Sequence, residues 1–169
     1  VWLAVCGADV RRIGCDVSDE GAVHAIAYSL YDLHLFGVFH AAHALADAVI
    51  ANQHALNFRI TYGPKVHGAV ALHAAFCHSP LSFFNVFSST AGLMGSPGQA
   101  PHSAANAWLD AMAGWRCQYG VRGQSVNWGA VAEVGYAARY GADRRAEASG
   151  SRPISRAMAF AALSSSMRS

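Results

Sequence analysis

The sequence holds a single lysine, Lys65, against eleven arginines. A coding bias toward arginine explains the imbalance cheaply, yet it leaves one candidate for any site that needs an amine. Charge of either sign is scarce: Asp, Glu, Lys and Arg make up 13% of the 169 residues, and the formal net charge is +2. So small a charge, with the basic residues scattered, argues against nucleic acid or an anionic membrane as a partner. The four cysteines, Cys6, Cys15, Cys77 and Cys117, stand far apart with no CxxC pair. In a chain without a signal peptide they read as reduced, mostly buried small hydrophobes, which suits a cytoplasmic setting. The apolar stretches are broken by His, Asp or Gly, so none is a convincing membrane span. Nine histidines are present, but there is no HExxH and no His-x-His set with a carboxylate at ligand spacing, and no metal site is expected. A Gly-x-Ser-x-Gly elbow is also missing, which leaves an α/β-hydrolase without its nucleophile.

What is present is apolar material, 53% of the chain, enough for the core of one domain over residues 1–169. The segment before Gly7 reads as a helix end, and Asp9 to Val17 as a strand. Glu20 to Leu33 has helical spacing behind Ser18 and Asp19, two plausible caps. "LFGVFHAA" (Leu35 to Ala42), "LSFFNVFSS" (Leu81 to Ser89) and "GQSVNWG" (Gly123 to Gly129) are short apolar runs of the kind buried on both faces of a sheet. The long stretch between the first two runs is mostly helical, with a break or restart expected at Gly63-Pro64. Pro101 to Gly120 predicts a helix stopped by Gly120, and "ISRAMAFAALSSS" a last short one. Residues 130–150, rich in Gly and Ala, read as a substrate loop or lid. Trp108, Trp115 and Trp128 are expected in the core or at an interface.

Short apolar strands alternating with helices predict a doubly wound, Rossmann-like α/β fold with a parallel sheet. Ligands of such sheets bind past the carboxyl ends of the strands. Asp16, His40 to His43, and Ser88 with Ser89 all fall there. In "GSPGQAPHSAANAWLDAMAG", His102 and Asn106 are four apart at the start of a helix and so share one face. A group that reduces a ketone needs a donor to hold the oxygen, an acid to protonate it and a cation to tune that acid. Ser89, His102 and Lys65 could fill these roles in turn, with Asn106 fixing the relay.

At these residues the chain resembles a known family, the ketoreductase domains of modular polyketide synthases, a branch of the short-chain dehydrogenase/reductase superfamily. The runs that carry the resemblance are "GADVRRIGCDVSDEGAV", "GVFHAA", "LADAVIANQ", "PKVHGAVALH", "FFNVFSSTAGLMGSPGQAPHSAANAWLDAMA" and "SVNWGAVAEVG". The resemblance implies NADPH-dependent reduction of a β-ketoacyl thioester to the β-hydroxyacyl product. It implies as partners an acyl carrier protein bearing the substrate on phosphopantetheine, and the other polyketide synthase domains. It makes Lys65 the catalytic lysine, Ser89 the oxyanion-holding serine and Asn106 the relay asparagine. It assigns Asp16 and Val17 to the adenine end of NADPH, and His40, Ala41 and Ala42 to the turn that meets the cofactor. Leu45-Ala46-Asp47 stands where one stereochemical group of the family has Leu-Asp-Asp. Met94 replaces the Trp of the other group, and Pro97 matches the first, so Asp47, Met94 and Pro97 are the expected stereocontrol positions.

The chain also departs from the family. His102 occupies the catalytic tyrosine position, with Pro101 directly before it. His43 stands where a glycine would let backbone approach the cofactor. The chain opens at Val1 in mid-element, so the first strand and the Gly-rich phosphate loop are expected upstream of it. Two readings stay open: a ketoreductase weakened at its acid, or a catalytically silent structural or carrier-docking domain.

Overall fold

A computed structural model describes residues 7–132 and 152–168. Three strands, β1 (Gly37–His40), β2 (Phe83–Ser89) and β3 (Gln124–Trp128), lie parallel in the order β1-β2-β3. Gly37 sits opposite Phe83 and His40 opposite Val86; Asn85 faces Gln124 and Ser89 faces Trp128. Parallel neighbours need a crossover, and helices supply it. α2 (Ala55–Tyr62) and α3 (Gly68–Phe76) join β1 to β2, and α4 (Thr90–Met94) and α5 (Ala100–Gln118) join β2 to β3; α1 (Glu20–Ser29) precedes β1 and α6 (Arg156–Ser166) follows β3.

Alternation along the strands decides what packs where. Val38, Phe84 and Val86 meet Ala69 and Phe76 of α3 and Leu109, Met112 and Ala113 of α5 in one buried cluster. Phe84, Val86 and Leu109 are fully buried, each worth about 1.5–3 kcal/mol relative to exposure. The intervening residues build an aromatic layer on the other face, with Phe39 and Phe83 ring centroids 4.7 Å apart and Phe87 and Trp128 5.4 Å apart. Helix α6 reaches that face through Asn85, whose Nδ2 donates to Ser166 Oγ at 2.8 Å. Across residues 133–151, a parallel bridge joins Val131 to Ile154.

Asp19 is the cap of α1, accepting from Ala22 N–H at 3.1 Å; Ser18 instead donates to Asp16 Oδ1. Gly120 stops α5 as expected, in the left-handed region at φ 74°. At Gly63-Pro64 the α-helical ladder is interrupted as expected, ending at Tyr62 and resuming at Gly68. Between them runs a π-turn, Gly63–His67, in which Gly68 N–H bonds back to Gly63 O. Proline explains the turn: its ring has no N–H and crowds the carbonyl four residues earlier, so the ladder widens there.

The strand expected over Asp9 to Val17 is not formed; the segment is irregular and largely exposed. A strand needs a ladder partner, and among the described residues β1 pairs only with β2. Single-sided pairing likewise limits β1 to four residues of the eight in its apolar run. Residues 46–49 are not helical either; a 3-10 turn, Ile50–Asn52, precedes α2. Cys15 and Cys117 are exposed and Cys77 half-buried, so the expectation of buried thiols fails for these three. Trp115 is exposed, while Trp108 packs on the core. Residues 1–6 and most of the lid expected over 130–150 lie outside the described residues.

Candidate active site

The π-turn has a chemical consequence. It turns Lys65 inward, where the side chain is 4% exposed. Its Nζ donates to Asn106 Oδ1 at 2.7 Å and to Phe87 O at 3.0 Å. Burial lowers its pKa from 10.5 to about 8, opposed by the Asp110 carboxylate, so the amine is mostly ammonium at pH 7. Gly68, one residue past the π-turn, is what lets this helix lie close to the strand ends. A Cβ there would stand 2.8 Å from Val17 Cγ1 and 3.1 Å from His40 Cε1.

Asn106 is fully buried on α5 and joins the lysine to the helix start. It accepts from Lys65 and donates from Nδ2 to His102 O at 2.8 Å, and its own carbonyl accepts from Ser88 Oγ at 3.2 Å. His102 lies in the first turn of α5, half-buried, with a buried Nδ1 that has no hydrogen-bond partner among the described residues. Its pKa is lowered from 6.5 to about 4, first by burial and then by the Lys65 ammonium; His43 adds to this and Asp47 opposes it. The ring is neutral at pH 7, held so by burial more than by the lysine charge.

Ser89 ends β2 and caps α4, its Oγ accepting from Ala91 N–H at 3.2 Å. A hydroxyl that accepts this bond still has a proton to donate. Gly92 of α4 lets that short helix rest on α5, since a Cβ would come 3.1 Å from Ala107 N and from Asn106 Cβ. Lys65, Asn106, His102 and Ser89 thus gather at the carboxyl end of β2.

The other expected positions are arranged around this group. Asp16 is exposed in the irregular segment, its carboxylate accepting from Ser18 N and Oγ at 3.0 and 2.8 Å, which holds its pKa below the usual value. Val17 is half-buried against Gly68. His40 points inward, where its Nε2–H donates to Lys65 O at 2.9 Å; burial lowers its pKa. The imidazole thus steadies the π-turn, while Ala41 and Ala42 continue the backbone past the strand end. Asp47 Oδ2 accepts from Gln99 Nε2 at 2.9 Å, and Ala48 N–H donates to Gly98 O at 2.9 Å, latching the loop after β1 to the loop before α5. Met94, at the end of α4, and Pro97, on that second loop, are exposed.

The roles of two contributors escape sequence reasoning. Asp110 accepts from Ser125 Oγ and supports the charge on Lys65. It lies four residues after Asn106, the same one-turn spacing that relates Asn106 to His102, and that spacing was the available signal. Ser88 Oγ ties the end of β2 to the Asn106 carbonyl; nothing in the sequence separates its role from that of Ser89.

The resemblance implies NADPH, and the residues fit one end of it. The turn at His40–Ala42, the hydroxyl of Ser89 and the unpartnered Nδ1 of His102 lie at strand ends, where a nicotinamide and a carbonyl substrate could meet. The described residues do not hold three or more His, Cys, Asp or Glu placed to bind a metal ion, or a helix long and apolar enough to cross a membrane.

Parallel strands joined through helices, with polar side chains collected past their carboxyl ends, define a Rossmann-type α/β domain of the short-chain dehydrogenase/reductase kind. Residues 2–133 match the family model of the KR domain, and the chain belongs to that family. The hybrid PKS-NRPS synthetase pyvA of Aspergillus violaceofuscus is 42% identical over 137 residues, 81% of this chain and 4% of the synthetase. The phthioceranic/hydroxyphthioceranic acid synthase of Mycobacterium tuberculosis is 39% identical over 135 residues, 79% of this chain and 6% of the synthase. Among solved structures, an A1-type ketoreductase superposes with a TM-score of 0.93 at 33% identity, covering 98% of this chain and 35% of that one. The ketoreductase from the first module of phoslactomycin biosynthesis in Streptomyces sp. HK803 gives 0.88 at 31% identity, covering 95% and 37%. The chain therefore spans a small part of the curated relatives and about a third of the solved ketoreductases.

Proposed function

We propose that this chain carries the proton-relay part of an NADPH-dependent ketoreductase acting on a β-ketoacyl thioester held by an acyl carrier protein. The continuous link from Lys65 through Asn106 to the His102 turn, with the Ser89 hydroxyl at the adjoining strand end, supports this reading above all. NADPH, when bound, supplies the hydride that reduces the carbonyl carbon. Ser89 holds the carbonyl oxygen by its hydroxyl. His102 faces the same oxygen and must provide the proton. Lys65 adds positive charge that favours the developing alkoxide. Asp110 keeps that lysine charged.

The proposal includes an impairment. A neutral imidazole is a poor acid, and both burial and Lys65 keep His102 neutral. The competing reading, a silent structural or carrier-docking domain, differs in its use of cofactor. In a polypeptide extended upstream of Val1 to include a Gly-rich loop, NADPH fluorescence is expected to be enhanced on binding. A flat titration overturns the reductase in favour of the silent domain.

The Asp47–Gln99 latch lies between the loop after β1 and the loop that leads into His102. With Met94 in place of a Trp and with Pro97, it supports the stereochemical group that forms the D-configured hydroxyl. Chiral analysis of the alcohol from the extended His102→Tyr protein is expected to give that configuration; the L alcohol overturns the assignment.

A further inference from the structure

Arg116 is a buried cation, 2% exposed, at the end of α5 remote from His102. Among the described residues no carboxylate pairs with it. Its Cζ lies 3.8 Å from the centroid of the Phe84 ring, its Nε donates to Arg122 O at 2.7 Å, and its Nη1 is hydrogen-bonded to His73 Nδ1. An arginine has donors only, so Nδ1 must accept. That fixes His73 as the neutral tautomer with its proton on Nε2. The same ring stands edge-on to Trp115, centroids 5.4 Å apart at 88°.

The contact pairs α3 with α5, the two helical runs that Lys65 and Asn106 also join. Lys65 to Asn106 is one tie; His73 to Arg116 is the second, eight residues further along the first run and ten along the other. We propose that His73 is a positioning residue that tethers α5 to α3 only while its ring is neutral, so that acid frees the helix carrying His102 and Asn106.

Protonation would remove the acceptor and set imidazolium against guanidinium. The titratable and charged groups around the pair include Arg116 and His78 near His73, Cys77, Cys117 and Arg122 near Arg116, and Tyr119 beyond Trp115; none of these is a carboxylate. Burial first, then Arg116 and His78, hold the His73 pKa below 6.5. The sign follows. Above pH 6.5 the ring is neutral in both folded and unfolded chain, and the tether contributes fully. As pH falls below 6.5 the unfolded chain takes up the proton first, and the contribution is lost as pH passes through the lowered value. The effect on catalysis rests on the proposed ketoreduction, whereas the tether itself does not.

Lys65, as the only lysine, makes the test specific. NMR of this chain labelled with 15N-histidine and 13C-lysine should show His73 with a bare Nδ1, titrating below pH 6.5. The single lysine signal should shift in step with that titration. A proton on Nδ1, a His73 titration at or above 6.5, or a lysine signal that does not respond overturns the proposal. Two variants add a rescue. His73→Asn places an amide oxygen close to the Nδ1 position and cannot titrate; it should keep the Tm of the parent and lose the acid response of the lysine signal. His73→Leu leaves Nη1 without an acceptor; it should lower the Tm and raise the Lys65 titration above about 8. Equal loss of Tm in both variants, or an unchanged lysine titration in a folded His73→Leu protein, also overturns it. If the tether is found but the extended His102→Tyr protein reduces no ketone, the functional reading fails alone.

Discussion

Replacing His102 by tyrosine, in a polypeptide extended upstream to hold the Gly-rich loop, is expected to raise β-ketoacyl thioester reduction about 10²–10⁴-fold at pH 7. The reason is the population of the acid. With its pKa near 4, His102 is protonated at pH 7 in only about one molecule per thousand. A phenol, with an ordinary pKa of about 10, is fully protonated there, and the Lys65 ammonium lowers that pKa, making the phenol a better donor. Reach compounds the difference: the imidazole is shorter than a phenol, and general acid catalysis tolerates misplacement badly. The same argument gives a second signature. Between pH 7.5 and 6 the His102 protein should gain up to about tenfold in rate per pH unit as its imidazolium population grows, whereas the His102→Tyr protein should not. Equal rates at pH 7 would show that histidine is a competent acid here, and would also end the silent-domain reading.

Lys65→Met, made in the His102→Tyr background, is expected to lower that restored rate by about 10²-fold or more. The substitution removes the only lysine in the chain and with it the charge that Asn106 and Phe87 O hold at the end of β2. The pH dependence of stability should change as well. Lys65 titrates near 8 in the folded chain and near 10.5 when unfolded. Between these values the unfolded chain binds the extra proton, so the lysine protein gains stability as pH rises from 8 to 10.5, by roughly 3 kcal/mol. The Lys65→Met protein lacks that gain, and it leaves Asn106 Oδ1 and Phe87 O without the Lys65 donor, at a cost of about 1–3 kcal/mol for each unsatisfied buried group. Denaturant melts at pH 8 and pH 10 measure both terms. Parallel stability profiles for the two proteins would show that Lys65 is not buried as described, and an unchanged rate would remove it from the chemistry.

The apolar runs carried the sheet. Phe83–Ser89 and Gln124–Trp128 form β2 and β3 within a residue or two of their sequence limits, because a run of buried side chains between turn residues has few other places to go. The one-turn spacing of His102 and Asn106, and the solitary lysine, were equally legible, since composition and helical period are local properties. Tertiary structure decided the rest. Asp9 to Val17 has the pattern of a strand but not the structure, because a ladder is made by two chains and pattern describes one. Pro64 reads as a break or restart; that the interruption takes the form of a π-turn, with Lys65 and Val66 buried in it, is decided by packing. The family resemblance makes His40 a cofactor-side residue at a strand end; that its Nε2 meets the Lys65 carbonyl is set by the approach of the π-turn. His73 and Arg116 are 43 residues apart and carried no signal in sequence. Their bond exists because α3 and α5 cover the same face of the sheet, and a buried guanidinium has to find an acceptor there.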